Sequence, residues 1–172
     1  MSWKFWKKAK PRVYLGTLRV DPRDDFKRHL EIWSVDARNR VALEIYGYLE
    51  EFFQLPPASE VADPARSDLG LDVTVLQWQL GQAMEFNLGF GGIPLVWRPK
   101  IVLQARLFYL QSGKTRSVYK ATEKMSWGVF FDRVISWRNF FFRNVLPLRE
   151  NDMKNLLYQA SIKVLKKAQQ AI

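Results

Sequence analysis

Gly113-Lys114-Thr115 has the residue types that end a phosphate-binding loop, in which backbone amides cradle phosphate and the lysine reaches its oxygens. That chemistry needs a further glycine five residues before the Gly-Lys pair, and Phe108 stands there. Gly89 and Gly91 start a dinucleotide fingerprint, but the third glycine position is Pro94. Both segments therefore read as turns. Asp24-Asp25 and Glu50-Glu51 are adjacent carboxylates with no accompanying motif, and they read as solvated faces instead of an acid and base pair. The single histidine, His29, lies beside Lys27 and Arg28, in a surface or capping role. Cysteine is absent, which excludes thiol catalysis, disulfide scaffolds and cysteine-ligated zinc or iron. The sequence thus assigns no catalytic, cofactor or metal residue, and an enzyme is the least favoured class.

Three segments have chemistry of another kind, that of contact. The first is the tail Trp3, Lys4, Phe5, Trp6, Lys7, Lys8 and Lys10, where indoles among ammonium groups suit an anionic membrane surface. The competing reading is a frayed, solvated tail. The second runs from Gly81 to Pro99, with Phe86, Phe90 and Trp97 interleaved with glycines. It is either a hairpin facing the core or an aromatic loop that meets a partner. The third is Gly128 to Pro147, with Phe130, Phe131, Trp137, Phe141 and Phe142. It is too apolar for an ordinary loop and either completes the core or forms a partner or membrane surface.

The elements that must hold these segments follow from periodicity. Val13 to Val20 alternates as a strand ended by Asp21-Pro22. From Val35 onward, Val41, Ile45, Tyr48, Leu49 and Phe52 recur at helical spacing until Pro56-Pro57 stops them. Asp72 to Leu80 alternates again, with Thr74, Leu76 and Trp78 on one face and Val73, Val75 and Gln77 on the other. Lys100 to Gln111 is the strongest strand, with Ile101, Leu103, Ala105, Leu107 and Tyr109 on one side. Ser112-Gly113-Lys114 turns it into a partner strand whose Arg116, Lys120 and Lys124 face solvent. Asn151 or Asp152 caps a final helix with a stripe of Met153, Leu156, Leu157, Ala160, Val164 and Ala168. The expected architecture is α+β, a mostly antiparallel sheet of about four strands packed against an N-terminal-half helix and a C-terminal helix. Residues 1–11 read as a basic aromatic tail and 12–172 as one domain, which suits 172 residues.

Charge is uneven along the chain. The net charge is +10, yet residues 21–72 are acidic while residues 1–19, 98–124 and 133–172 are basic. Basic excess favours anionic partners without choosing among them. No run approaches the apolar length of a membrane span.

A first strand like Arg12–Leu18, a helix, a strand like Leu71–Leu76 and a long hairpin like Ile101–Leu107 turning at Ser112-Gly113-Lys114 resemble the layout of small bacterial envelope lipoproteins. These are the curli-secretion-type domain and the auxiliary components of envelope ABC transporters. The chain differs from them in having no cysteine to carry a lipid. The resemblance implies a non-catalytic accessory or scaffold component of an envelope assembly or transport machine, acting by protein contacts near a membrane. It implies other envelope proteins as partners, an anionic membrane surface or a homo-oligomer as further contacts, and no cofactor. The location it implies is peripheral to the bacterial envelope, periplasmic if the chain is exported, with the cytoplasm as the alternative. Two rival functions stand beside it: nucleic-acid binding through the basic ends and aromatics, and a small hydrophobic-ligand pocket.

Overall fold

The computed structural model describes residues 11–20, 35–79, 82–87, 92–134 and 150–172. Strand β1 (Val13–Val20) is followed by helix α1 (Val35–Phe52), a 3-10 turn (Ala58–Glu60) and strand β2 (Leu69–Gln79). A hairpin of β3 (Gln82–Asn87) and β4 (Gly92–Trp97) leads to the long strands β5 (Lys100–Tyr109) and β6 (Thr115–Lys124). Helix α2 (Trp127–Val134) and the C-terminal helix α3 (Glu150–Gln170) complete the order. The architecture is α+β, as the periodicity predicts.

The main sheet has the order β1-β2-β5-β6, antiparallel except for the parallel pair β1 and β2. That one parallel step requires a crossover, and α1 with the loop after it supplies the chain length. Proline lacks the donor to continue α1, and Pro56 instead offers its carbonyl to the Leu15 amide at 2.8 Å. A bridge between Leu15 and Pro57 thereby covers part of the β1 edge.

One face of the sheet carries the core. Leu71, Val73 and Val75 of β2 meet Leu103, Ala105 and Leu107 of β5, and Ala121 adds β6. Helix α3 lays Met153, Leu157, Ala160, Val164 and Ala168 on this face, and α1 adds Ile45 and Leu49. The two helices are also joined outside the core. Lys154 of α3 reaches Glu51 of α1 at 2.8 Å and lies over the Tyr48 ring, while Phe52 meets Tyr158 edge-on.

Two sequence readings need correction. The alternation in β2 does not run unbroken, because the register shifts between Val75 and Gln77. An extra residue moves Trp78 onto the buried side with Val73 and Val75, although simple parity sets it opposite them. Helix α3 begins at Glu150, so Asn151 and Asp152 stand inside its first turn, not before it. Carboxylate there still suits the helix dipole. The stretch from Gly81 to Pro99, for which a hairpin is one of the two readings, contains a paired hairpin, with Gln82 opposite Trp97 and Asn87 opposite Gly92. The Pro94 backbone lies in β4 opposite Glu85, which fits a strand with an open edge.

Candidate contact surfaces

Helix α2 is built by its own start signal. The Ser126 hydroxyl accepts from the Val129 amide at 3.3 Å, and the Ser126 carbonyl accepts from the Phe130 amide at 3.0 Å. The residues just before the cap and four into the helix, Met125 and Phe130, are both buried, as a hydrophobic staple requires. These two lie outside the main core cluster, as does Val102. With Phe130 turned inward, the helical rotation turns its neighbours outward. Trp127 is 45% exposed, Val129 46% and Phe131 41%.

The exposed rings form an ordered stack. Trp127 and Phe131, four residues apart and so on one helix face, stack with centroids 5.4 Å apart at 19°. The Arg98 guanidinium lies 4.8 Å from the Trp127 centroid and donates to the Met125 carbonyl at 3.3 Å. That bond ties the arginine to the chain entering α2, so cation and rings are held in one place. Arg98, Trp127 and Phe131 thus bring cationic and aromatic character together at the start of α2, the residue types that dominate protein contact energies. Covering the exposed parts of both rings contributes on the order of 4 kcal/mol by area.

The second surface is the sheet face opposite the core. Asp72 accepts from the Thr17 amide at 2.8 Å and the Thr17 hydroxyl at 3.0 Å, with Arg106 at 3.5 Å. Arg106 also donates to Thr115 and to the Gly113 carbonyl, each at 2.8 Å, and lies over the Phe108 ring. This network ties β1, β2, β5 and the β5–β6 turn together. Arg19, Arg116, Lys120 and Lys124 are exposed on strands of this sheet.

At the base of β1, Arg12 grips Asp68 with two bonds, at 2.8 and 3.2 Å, and the Ala65 amide adds a third at 3.0 Å. The Arg12 hydrogen bond holds the Asp68 carboxyl below its ordinary range despite burial, with the amide and the arginine charge acting in the same direction. Arg12 is raised in turn, chiefly by the same bond. This is a structural clamp between β1 and the start of β2.

The predicted contact residues divide accordingly. Phe131 lies on the surface, whereas Phe130, read with it as part of one apolar segment, is 1% exposed and belongs to the interior. Adjacent helical positions differ by about 100°, so both rings cannot share a stripe one residue wide. The backbones of Phe86 and Trp97 lie in β3 and β4. Phe90, Trp137, Phe141, Phe142 and the tail residues Trp3, Lys4, Phe5, Trp6, Lys7, Lys8 and Lys10 lie outside the described residues. Trp127 and Arg98 escaped the sequence reading. The signal for Trp127 was present, a serine cap followed by aromatic residues four apart; Arg98 is brought in only by tertiary structure. Among the described residues no cluster has the makings of a metal site, and no helix is long and apolar enough to cross a membrane.

No family model matches the chain, and no curated protein does. Solved structures with a loose likeness include a homologue of the neuraminyllactose-binding hemagglutinin from Helicobacter pylori, 12% identical over 96% of this chain and 84% of that one, with a TM-score of 0.39. A hypothetical protein from Chlamydia trachomatis is 14% identical over 92% and 95%, with a TM-score of 0.37. A lipoprotein from Neisseria meningitidis is 14% identical over 79% and 99%, with a TM-score of 0.30. Bacterial lipoproteins are thus among the structures it resembles, at scores too low to support a functional argument.

Proposed function

We propose that this chain is a non-catalytic accessory protein of a bacterial envelope assembly, acting by protein contacts near a membrane. The observation that carries the contact role is the exposed, stacked pair Trp127 and Phe131 on a capped helix, with the half-buried Arg98 over the Trp127 ring. The envelope setting follows the sequence resemblance.

Cell fractionation tests the reading. In a bacterial host the chain is expected with the membrane fraction, and the double variant Trp127→Ser with Phe131→Ser is expected to move to the soluble fraction with an unchanged circular dichroism spectrum. Protein-free vesicles of the host's lipids are expected not to distinguish the two chains. Retention of the double variant at the membrane, or loss of its vesicle binding alone, contradicts the proposal.

A further inference from the structure

Strand β6 ends the sheet, and among the described residues no strand lies beyond it. Its polarity at that edge is readable from two hydrogen bonds. Met125 donates to the Pro99 carbonyl at 3.0 Å, so odd positions point toward β5. The Lys120 carbonyl accepts from the Lys167 ammonium of α3 at 2.8 Å, so even positions point away. In an antiparallel ladder a residue's amide and carbonyl face the same side, which turns those of Val118, Lys120 and Thr122 to the open edge. Val118 is 54% exposed there. A long edge with free amides is a template for another strand, and proteins restrict such pairing with charge.

The charge here selects as well as restricts. Arg116, Lys120 and Lys124 are exposed at every fourth position of β6, and Arg116 also donates to the Ala171 carbonyl just past α3. Lys163 of α3 reaches Glu123 at 2.5 Å, and Lys167 covers the middle of the edge. A second copy is disfavoured as the occupant. Antiparallel pairing of two β6 strands about Lys120 sets that lysine against itself and Arg116 against Lys124, and like charges directly opposite destabilise a sheet.

We propose that the β6 edge takes up an extended acidic segment of another protein as a fifth strand. The segment has acidic side chains facing Arg116, Lys120 and Lys124 and an apolar one facing Val118. Its amide replaces Lys167 on the Lys120 carbonyl, and the released ammonium turns to an arriving carboxylate. Ladder bonds supply the attachment and the alternate side chains supply the choice. This surface is separate from the α2 stack, and each proposal stands without the other.

The probe is a capped nine-residue threonine peptide with glutamate at its first, fifth and ninth positions and valine at its seventh, for antiparallel docking. Amide exchange in the full chain is read by nuclear magnetic resonance. The expected result is slowing of exchange by about tenfold or more at Val118, Lys120 and Thr122, with no slowing by the same peptide carrying lysine for glutamate. In the chain with Lys120→Glu and Lys124→Glu, whose fold is checked by its circular dichroism, the acidic peptide is expected to lose affinity on the order of tenfold and the lysine peptide to gain it. Absence of protection at about 1 mM acidic peptide overturns the proposal. So does equal protection by both peptides, or peptide binding that leaves these three amides unprotected.

Discussion

At the scale of single residues, two contacts account for how β1 is seated on the sheet. The first is the Arg12 fork on Asp68, a carboxylate only 2% exposed with three hydrogen bonds. A carboxyl whose pKa is lowered by folding stabilises the fold above its unfolded pKa and loses that contribution as pH falls through the folded value. Urea unfolding from pH 7 down to pH 2 is therefore expected to show a steeper loss of stability below about pH 4 for the natural chain than for Asp68→Asn. Parallel curves contradict the assignment. The second is the flat seat under Phe108. A Cβ on Gly70 would stand 2.4 Å from the Phe108 ring and one on Gly16 would stand 2.3 Å from an Asp72 oxygen. Alanine in a strand ordinarily gains about 0.5–1 kcal/mol over glycine. Here the ring must lift and leave Arg106, at a cost of about 1–3 kcal/mol, so Gly70→Ala is expected to destabilise. A neutral or stabilising result in urea unfolding shows the ring to be free to move.

Elements respond to which face of the sheet is touched. Leu103 and Leu157 are fully buried where β5 meets α3. An aspartate at either position leaves an unpaired carboxylate in the core, a cost of several kcal/mol, on the order of the whole stability of a domain. Leu103→Asp and Leu157→Asp are expected to unfold or aggregate, whereas Lys120→Asp on the exposed face is expected to shift stability by less than about 1 kcal/mol. Equal damage from all three in thermal unfolding contradicts the register. That register was legible in the sequence for β5 and β6 because their alternation runs long before the bulge near the turn. In β2 it was legible only to Val75, since a bulge inserts a residue without any glycine or proline to announce it. The boundary of α2 was also within reach, through Ser126. The division between Phe130 and Phe131 was not, because amphipathic reading over a long apolar segment assigns a stripe, and a helix of eight residues has room for one buried ring.

Across the whole molecule, exposed acidic and basic side chains are concentrated on different elements. The acids Glu44, Glu50 and Glu51 are exposed on α1, while β6 presents Arg116, Lys120 and Lys124. A basic surface of this kind attracts any polyanion by counterion release, so single-stranded nucleic acid is expected to bind without sequence preference and to release by about 0.2 M salt. Tight binding at that salt, read by fluorescence anisotropy, favours the nucleic-acid alternative. The exposed rings of α2 obey no such law, because burial of apolar area is little affected by moderate salt. Their role is the central claim, and photocrosslinking in living bacteria tests it most directly. A photoreactive amino acid replaces Phe131 in one chain and Glu60, on the exposed 3-10 turn, in another. The account predicts discrete protein adducts from position 131 that disappear when Trp127→Ser is added, and none from position 60. Adducts of equal yield from both positions, or none from position 131, would contradict it.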